Sequence, residues 1–444
     1  MREKIKNVDA PVSNESWMIL KPPQALLEVK PEAYYPKLVT IGPLYPNLEP
    51  SPINNFKAQC VKKFMERHGI SGVGELTQYL SHDQADDELS RIYNLNLPQS
   101  DFEWLQLLVT VDTIFIHEYL QKIKYFRTFH FNDHTFRVRL DRDLLLIGNQ
   151  IPMAFLKKIA NNGDFSLADF EKAVRAFIVR SNPFFHSQTA SSRFLEFLDS
   201  GPNPIKLVDI CKHLLDCLYL SCTLKEEEST RQSNSEEPTS VSVYSCFSFL
   251  SRELEAPKKD FVRLPTTSQL YKAGIRFKAC DGNISVMKYD KTKLQLHLPR
   301  LIVYEGTEDV LRNLLAYEQT SKEGGEFTMY AVIMDSLIDT TEDLAILTKA
   351  RVIVNHLGSD DELVQMWNNM SKNVTIRSCK RLDDIMHDVL KHYRDPWSSM
   401  YVEFREKYFS RPWLTISLIV AFLLLLCSLV QTCYTVAGYY RSKH

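Results

Sequence analysis

Trp104-Leu-Gln-Leu-Leu-Val-Thr-Val-Asp-Thr-Ile-Phe-Ile116 lies inside an apolar run from Phe102 to Leu120 that holds neither Pro nor Gly. At about 19 residues it is too long for a strand, and Glu103, Asp112 and Glu118 make it too polar for a bilayer, so it reads as a central core helix. Outward on the N-terminal side, Phe56, Cys60, Phe64 and Met65 share one helical face, with Lys57, Lys62, Lys63 and Arg67 expected opposite. The first thirty residues, with Pro11, Pro22 and Pro23, read as a flexible leader. On the C-terminal side, Leu144 to Ile159 is a second apolar segment, introduced by Asp141-Arg-Asp143 and punctuated by Pro152. Only 14 glycines in 444 residues, with few Asn-Gly or Asp-Gly turns, argue against an all-β body.

Between Lys225 and Ser240 the large apolar residues give way to Glu226-Glu-Glu228 and a Ser/Thr/Gln/Asn mixture, the composition of a disordered linker. Beyond it the period shortens: Ile275–Cys280, Ile284–Tyr289 and Leu294, Leu296, Leu298 alternate as strands do. Helix returns at Thr307–Glu318. Ser359-Asp-Asp-Glu362 reads as a capping box, and Leu382, Ile385, Met386, Val389, Leu390 and Tyr393 form an apolar helical stripe. The expected fold is mainly α (α+β): a leader (1–30), a helical lobe (31–223), an acidic linker (224–242), an α+β lobe (243–410) and one C-terminal transmembrane helix (411–440).

That last element rests on Trp413 to Val430, eighteen residues without a charged side chain. They reach roughly 27 Å as a helix, near the ~30 Å hydrocarbon core. Trp413, Tyr439 and Tyr440 stand where interfacial anchors belong, with Arg411, Arg441 and Lys443 outside them. Residues 413–434 are thus the expected membrane contact. The short tail after Tyr440 and the want of a secretory signal predict post-translational insertion and a cytosolic body, in the plasma membrane or an endomembrane. Sequons at Asn14, Asn283, Asn369 and Asn373 point the other way.

A net charge of −2 gives no electrostatic reason to bind nucleic acid. Nine cysteines, odd in number and scattered, predict reduced thiols rather than a disulfide framework. No phosphate-cradling glycine loop, dinucleotide turn or His-Glu-x-x-His helix occurs, and no cofactor is expected. Cys211, His213, Cys217 and Cys222 offer metal-ligand chemistry, yet they fall on an apolar helical pattern with Leu214, Leu215 and Leu218. His130 and His134 have ligand spacing across a turn-like Phe-Asn-Asp. Asp141 and Asp143 are a conceivable acid–base pair, although Asp at a helix start is ordinarily a cap. His117 and Glu118, as helical neighbours, are expected to face about 100° apart.

Six ordered motifs carry a resemblance. They are Tyr35-Pro-Lys-Leu-Val-Thr-Ile-Gly42-Pro43, Asp143-Leu-Leu-Leu-Ile-Gly-Asn149-Gln150-Ile-Pro152 and His213-Leu-Leu-Asp216. There follow Leu264 to Lys278, Leu311-Arg-Asn313-Leu-Leu-Ala-Tyr-Glu318-Gln319 and Tyr408-Phe-Ser-Arg-Pro412-Trp413. Together they resemble the plant family known as domain of unknown function 247, from Pro31 to the tail. The resemblance implies a single C-terminal membrane segment and, for some members, a pollen-side role in grass self-incompatibility. The chain departs from the family pattern at Gly148, where Glu is usual, and at Leu44-Tyr45, where Tyr-His is common. An enzyme using those two side chains for proton transfer could not lose both. The expected function is therefore membrane-anchored, non-enzymatic recognition or signalling through an unknown protein partner; the alternative is a tethered hydrolase built on Asp141, Asp143 and a distant His.

Overall fold

The structure is a computed structural model that describes residues 18–45, 51–78, 85–95, 98, 101–124, 134–162, 166–200, 204–224, 263–321, 324–395 and 412–441. The linker at 225–240, Asn14, His130 and Cys246 lie outside the described residues, as does the side chain of His134.

The first half is helical. It comprises α1 (Gln24–Leu27), α2 (Ser51–His68), α3 (Val73–Gln78), α4 (Ala85–Ile92), α5 (Phe102–Lys124), α6 (His134–Asp143), α7 (Met153–Asn162), α8 (Leu167–Ser181), α9 (Gln188–Asp199), α10 (Leu207–Ile210) and α11 (Leu214–Thr223). The second half opens with α12 (Thr267–Lys272). Then come β1 (Arg276–Cys280), β2 (Lys288–Asp290), β3 (Gln295–Pro299) and β4 (Leu301–Val303), followed by α13 (Thr307–Thr320), α14 (Glu326–Leu337), α15 (Thr341–Lys349), β5 (Ile353–Asn355), α16 (Asp360–Asn368), α17 (Lys380–Tyr393) and α18 (Pro412–Arg441).

As its unbroken apolar run predicts, α5 is the hub of the first half, packing against α2, α7 and α8. Leu105, Val109, Ile114, Phe115 and Leu120 are buried along it, and each such side chain contributes roughly 1.5–3 kcal/mol through lost water contact. Apolar on nearly every side, α11 can only be an interior helix. It packs on α8 of the first half and on α13 and α14 of the second, so one continuous core spans both halves.

In the three-stranded sheet β3 is central, parallel to β1 (Lys278 opposite His297) and antiparallel to β2 (Lys288 opposite His297). Alternation sends Phe277, Leu296 and Leu298 inward to the core. A second, two-stranded parallel pair joins β4 to β5.

Several expectations are corrected. The stretch from Met18 to Lys30, expected in a flexible leader, is packed: Ile19 and Leu26 are buried, and Ile19 N–H donates to Ile92 O at 2.7 Å. Ile284–Val286 is a 3₁₀ turn rather than a strand, because the Asn283 side chain accepts from Ser285 N–H at 2.9 Å and bends the backbone. Ser359 caps α16 through Asp361 N–H, without the reciprocal Glu362 bond of a capping box. Capping boxes are formed instead by Thr266 with Gln269 at α12 and by Thr340 with Asp343 at α15.

Among the described residues, no helix is long and apolar enough to cross a membrane.

Candidate functional site

The family-type motifs converge on one irregular strap, residues 35–43, that is neither helix nor strand. Such a segment exposes backbone donors and acceptors that must find partners once buried. Here side chains, rather than a neighbouring strand, supply them. The buried Asp143 carboxylate accepts from the N–H groups of Lys37, Leu38 and Val39, the last two at 2.6 and 2.9 Å. Asn149 Oδ1 accepts from Ile41 N–H at 2.6 Å, and its Nδ2 donates to Val39 O and Asp143 O. Asp112 accepts from Gly42 N–H at 2.8 Å and from Lys57 Nζ at 2.6 Å, while Lys57 also donates to Thr40 O. Lys57 is therefore buried in the strap's cradle, not on the solvent face where periodicity put it.

Arg142 ties the strap to the second half. Its guanidinium donates to Tyr35 O, Glu32 O and Asp143, and its Nε donates to Asp309 at 2.8 Å. Asn313 accepts from Ile147 N–H at 2.9 Å and donates to Ala33 O at 2.9 Å. Gln150 donates to Leu144 O and Leu146 O, closing the turn before α7, and accepts from Leu215 N–H at the start of α11. Pro152 immediately precedes α7, so it ends a turn and does not break a helix. At the far end of α13, the buried Glu318 carboxylate takes Tyr219 Oη at 2.6 Å and the N–H groups of Gly325, Phe327 and Thr328, capping the positive end of α14.

Two glycines are forced here. Gly42 adopts φ +69°, and a Cβ there would stand 3.3 Å from Gln150 O. At Gly148 a Cβ would lie 2.7 Å from Tyr45 Oη. The two departures from the family pattern thus meet in space: the Tyr45 ring fills the volume that any side chain at 148 would need. They form one packing exchange, and sequence alone gave no sign that they touch.

The other candidates resolve separately. Asp141 and Asp143 close α6 instead of opening a helix, and they diverge: Asp141 pairs with Arg180 at 2.8 Å and Tyr119 at 2.6 Å. His117 is buried between Phe64 and Phe170, with Nδ1 3.9 Å from Glu118 Oε1, nearer than helical neighbours were expected to come; Glu118 is paired with Arg67. His213 is the N-cap of α11, its Nδ1 accepting from Asp216 N–H at 3.2 Å. Burial, with a smaller contribution from Lys212, lowers its pKa to about 3. Burial likewise pushes the Cys211 and Cys217 thiols up, and no group of metal-ligating side chains occurs among the described residues. Pro412 opens α18, while its side chain and that of Trp413 fall outside the described residues. In sequence Lys57 reads as a solvent-face residue, Asp112 as a polar interruption of the apolar run and Arg142 as the middle of Asp141-Arg-Asp143, and nothing singles out Asp309. The one available signal was an acid, Asp112, in the middle of an apolar helix.

Residues 19–427 match the profile of the family described as plant protein of unknown function, DUF247. The chain belongs to the DUF247 family. The chain is also similar to two Arabidopsis thaliana proteins described as UPF0481 proteins, one of them as putative. One is 25% identical over 93% of this chain and 89% of its own length, the other 22% identical over 97% and 88%. No solved structure matches. In this DUF247 chain, the motif residues Asp143 and Asn149 hold the strap, Asn313 ties Ala33 and Ile147 to α13, Gln150 joins the turn before α7 to α11, and Glu318 caps α14.

Proposed function

We propose that this chain is a non-enzymatic, membrane-tethered recognition protein, with α18 as its anchor and the helical body binding another protein. The observation that carries the reading is α18 itself. From Ile416 to Val430, ten large apolar side chains are 41–67% exposed, and no Asp, Glu, Lys or Arg occurs between Pro412 and Tyr440. An apolar surface of that extent needs lipid or protein around it. Thr432 and Thr435 turn their hydroxyls back to Ser428 O and Gln431 O, the way polar side chains are satisfied in hydrocarbon.

A cytosolic body is supported by six free thiols among the described residues of the body, and by Asn283, whose buried amide donates to Ser221 O and Leu224 O and so is closed to glycosylation. The competing hydrolase reading needs Asp141 and Asp143 to move protons. Their engagement with Arg180, Tyr119 and three backbone N–H groups favours recognition. A self-incompatibility role is the narrower proposal; it rests on the family resemblance and the Tyr45–Gly148 exchange, and independent segregation of this gene and incompatibility type excludes it.

The test is fractionation of the full chain expressed in plant cells. The tethered reading expects it in the membrane pellet after alkaline carbonate and in detergent extracts. Recovery in the carbonate supernatant overturns it.

A further inference from the structure

The outer face of the three-stranded sheet is built unlike the rest of the body. Alternation that sends Phe277 and Leu296 inward sends Lys278, His297 and Lys288 outward in one row across β1, β3 and β2. Cys280 stands two residues along β1 on that same face, and its Sγ lies 3.3 Å from His297 Nδ1. Among the described cysteines of the body, Cys60, Cys211, Cys217, Cys222 and Cys379 are buried, whereas Cys280 is partly exposed. His297 is only 8% exposed, and its Nε2 has no hydrogen-bond partner. Cationic Lys278, Lys288, Lys293 and Arg193 surround the pair. Of the nearby acids, Asp290 is occupied by the Thr292 and Lys293 backbone and Asp281 by Arg300.

We propose that Cys280 is a site of mixed-disulfide formation with an anionic low-molecular-weight disulfide, glutathione disulfide being the probe, with His297 taking the thiol proton and the lysine row holding the reagent's carboxylates. With its ring proton on Nε2, His297 presents the Nδ1 lone pair to the Cys280 S–H. Nδ1 accepts that proton as the sulfur attacks one sulfur of the incoming disulfide. The old S–S bond breaks, a new one forms to Cys280, and the leaving thiolate takes the proton from the imidazolium. The Cys280 sulfur is oxidised and the departing half of the reagent is reduced, so no further reactant is needed. Burial raises the Cys280 thiol above its usual value, and burial with Lys278 and Lys288 lowers His297, so the resting pair is neutral and depends on the imidazole for activation.

The experiment uses the full chain in detergent micelles, neutral iodoacetamide and anionic glutathione disulfide as parallel reagents, and peptide mass mapping. Glutathione disulfide is expected to add one glutathionyl group at Cys280, absent in Cys280→Ser. His297→Ala is expected to slow both reagents about 10-fold or more at pH 7. Lys278→Gln with Lys288→Gln is expected to slow glutathione disulfide several-fold and leave iodoacetamide unchanged. Should His297→Ala not fold, the pH profile of the unaltered chain decides: assistance by the dyad gives a plateau of reactivity below the thiol titration, and a single thiol titration overturns it. Equal or faster labelling in His297→Ala, adducts confined to other cysteines, or an unchanged glutathione disulfide rate in the double Gln variant each overturn the proposal.

Discussion

The strap cradle and the outer sheet face treat polar groups in opposite ways. Around residues 37–42, the backbone N–H groups of Lys37, Leu38, Val39, Ile41 and Gly42 all meet a carboxylate or amide oxygen, and the acids that receive them also hold buried cations. On the sheet, a buried imidazole keeps one nitrogen unpartnered beside a thiol and two lysines. A saturated network has no spare valence for a ligand and fixes one arrangement of the chain. An unsaturated one lowers stability but leaves an atom free to react. The family-type motifs therefore mark architecture, and reactivity is better sought away from them.

Breaking the cradle should have the largest effect. Asp143→Ala removes one of the partners of Arg142 and leaves three N–H groups without their acceptor, and a loss of about 3–5 kcal/mol is expected, read from chemical denaturation. Next comes the packing exchange beside it. Gly148→Ala drives a methyl into the Tyr45 ring and should cost about 1–3 kcal/mol, most of it recovered in Gly148→Ala with Tyr45→Ala; costs that simply add in the double variant would refute the contact.

Acid sharpens the comparison further. The unfolded chain protonates His213 near its ordinary pKa of ~6.5, the folded chain only near about 3. Its stabilising effect is thus complete above pH ~6.5 and drains away as pH falls toward 3. His213→Asn, which retains a capping oxygen, should flatten that acid limb in melting temperatures measured from pH 7 to 4. Smallest of all, Lys278→Gln and Lys288→Gln on the exposed sheet face should shift stability by no more than about 0.5 kcal/mol.

Elements with a strong period were legible. The Phe102 run became α5, the Leu382–Tyr393 stripe became α17, and the alternating segments at 275–280 and 294–298 became β1 and β3. Polar capping was less so. Asp141-Arg-Asp143 looked like a helix start, yet the Asp143 carboxylate serves backbone about 105 residues earlier in the chain, a partnership that leaves no periodic trace. Asn149, Gln150, Asn313 and Glu318 were named from motifs, but their partners were not, because an amide's partner is set by tertiary geometry. Gly148 and Tyr45 each depart from the family pattern, but that one makes room for the other is a contact between distant residues that no periodicity encodes.

The bond from Asn313 to Ala33 joins residues 280 apart in sequence. On a ribosome adding ~5–20 residues per second, Ala33 would emerge roughly 14–56 s before that partner has been made. During that interval its carbonyl can bond only to water or to a chaperone, so a nascent chain interrupted before α13 would leave the first half without its closing clasp.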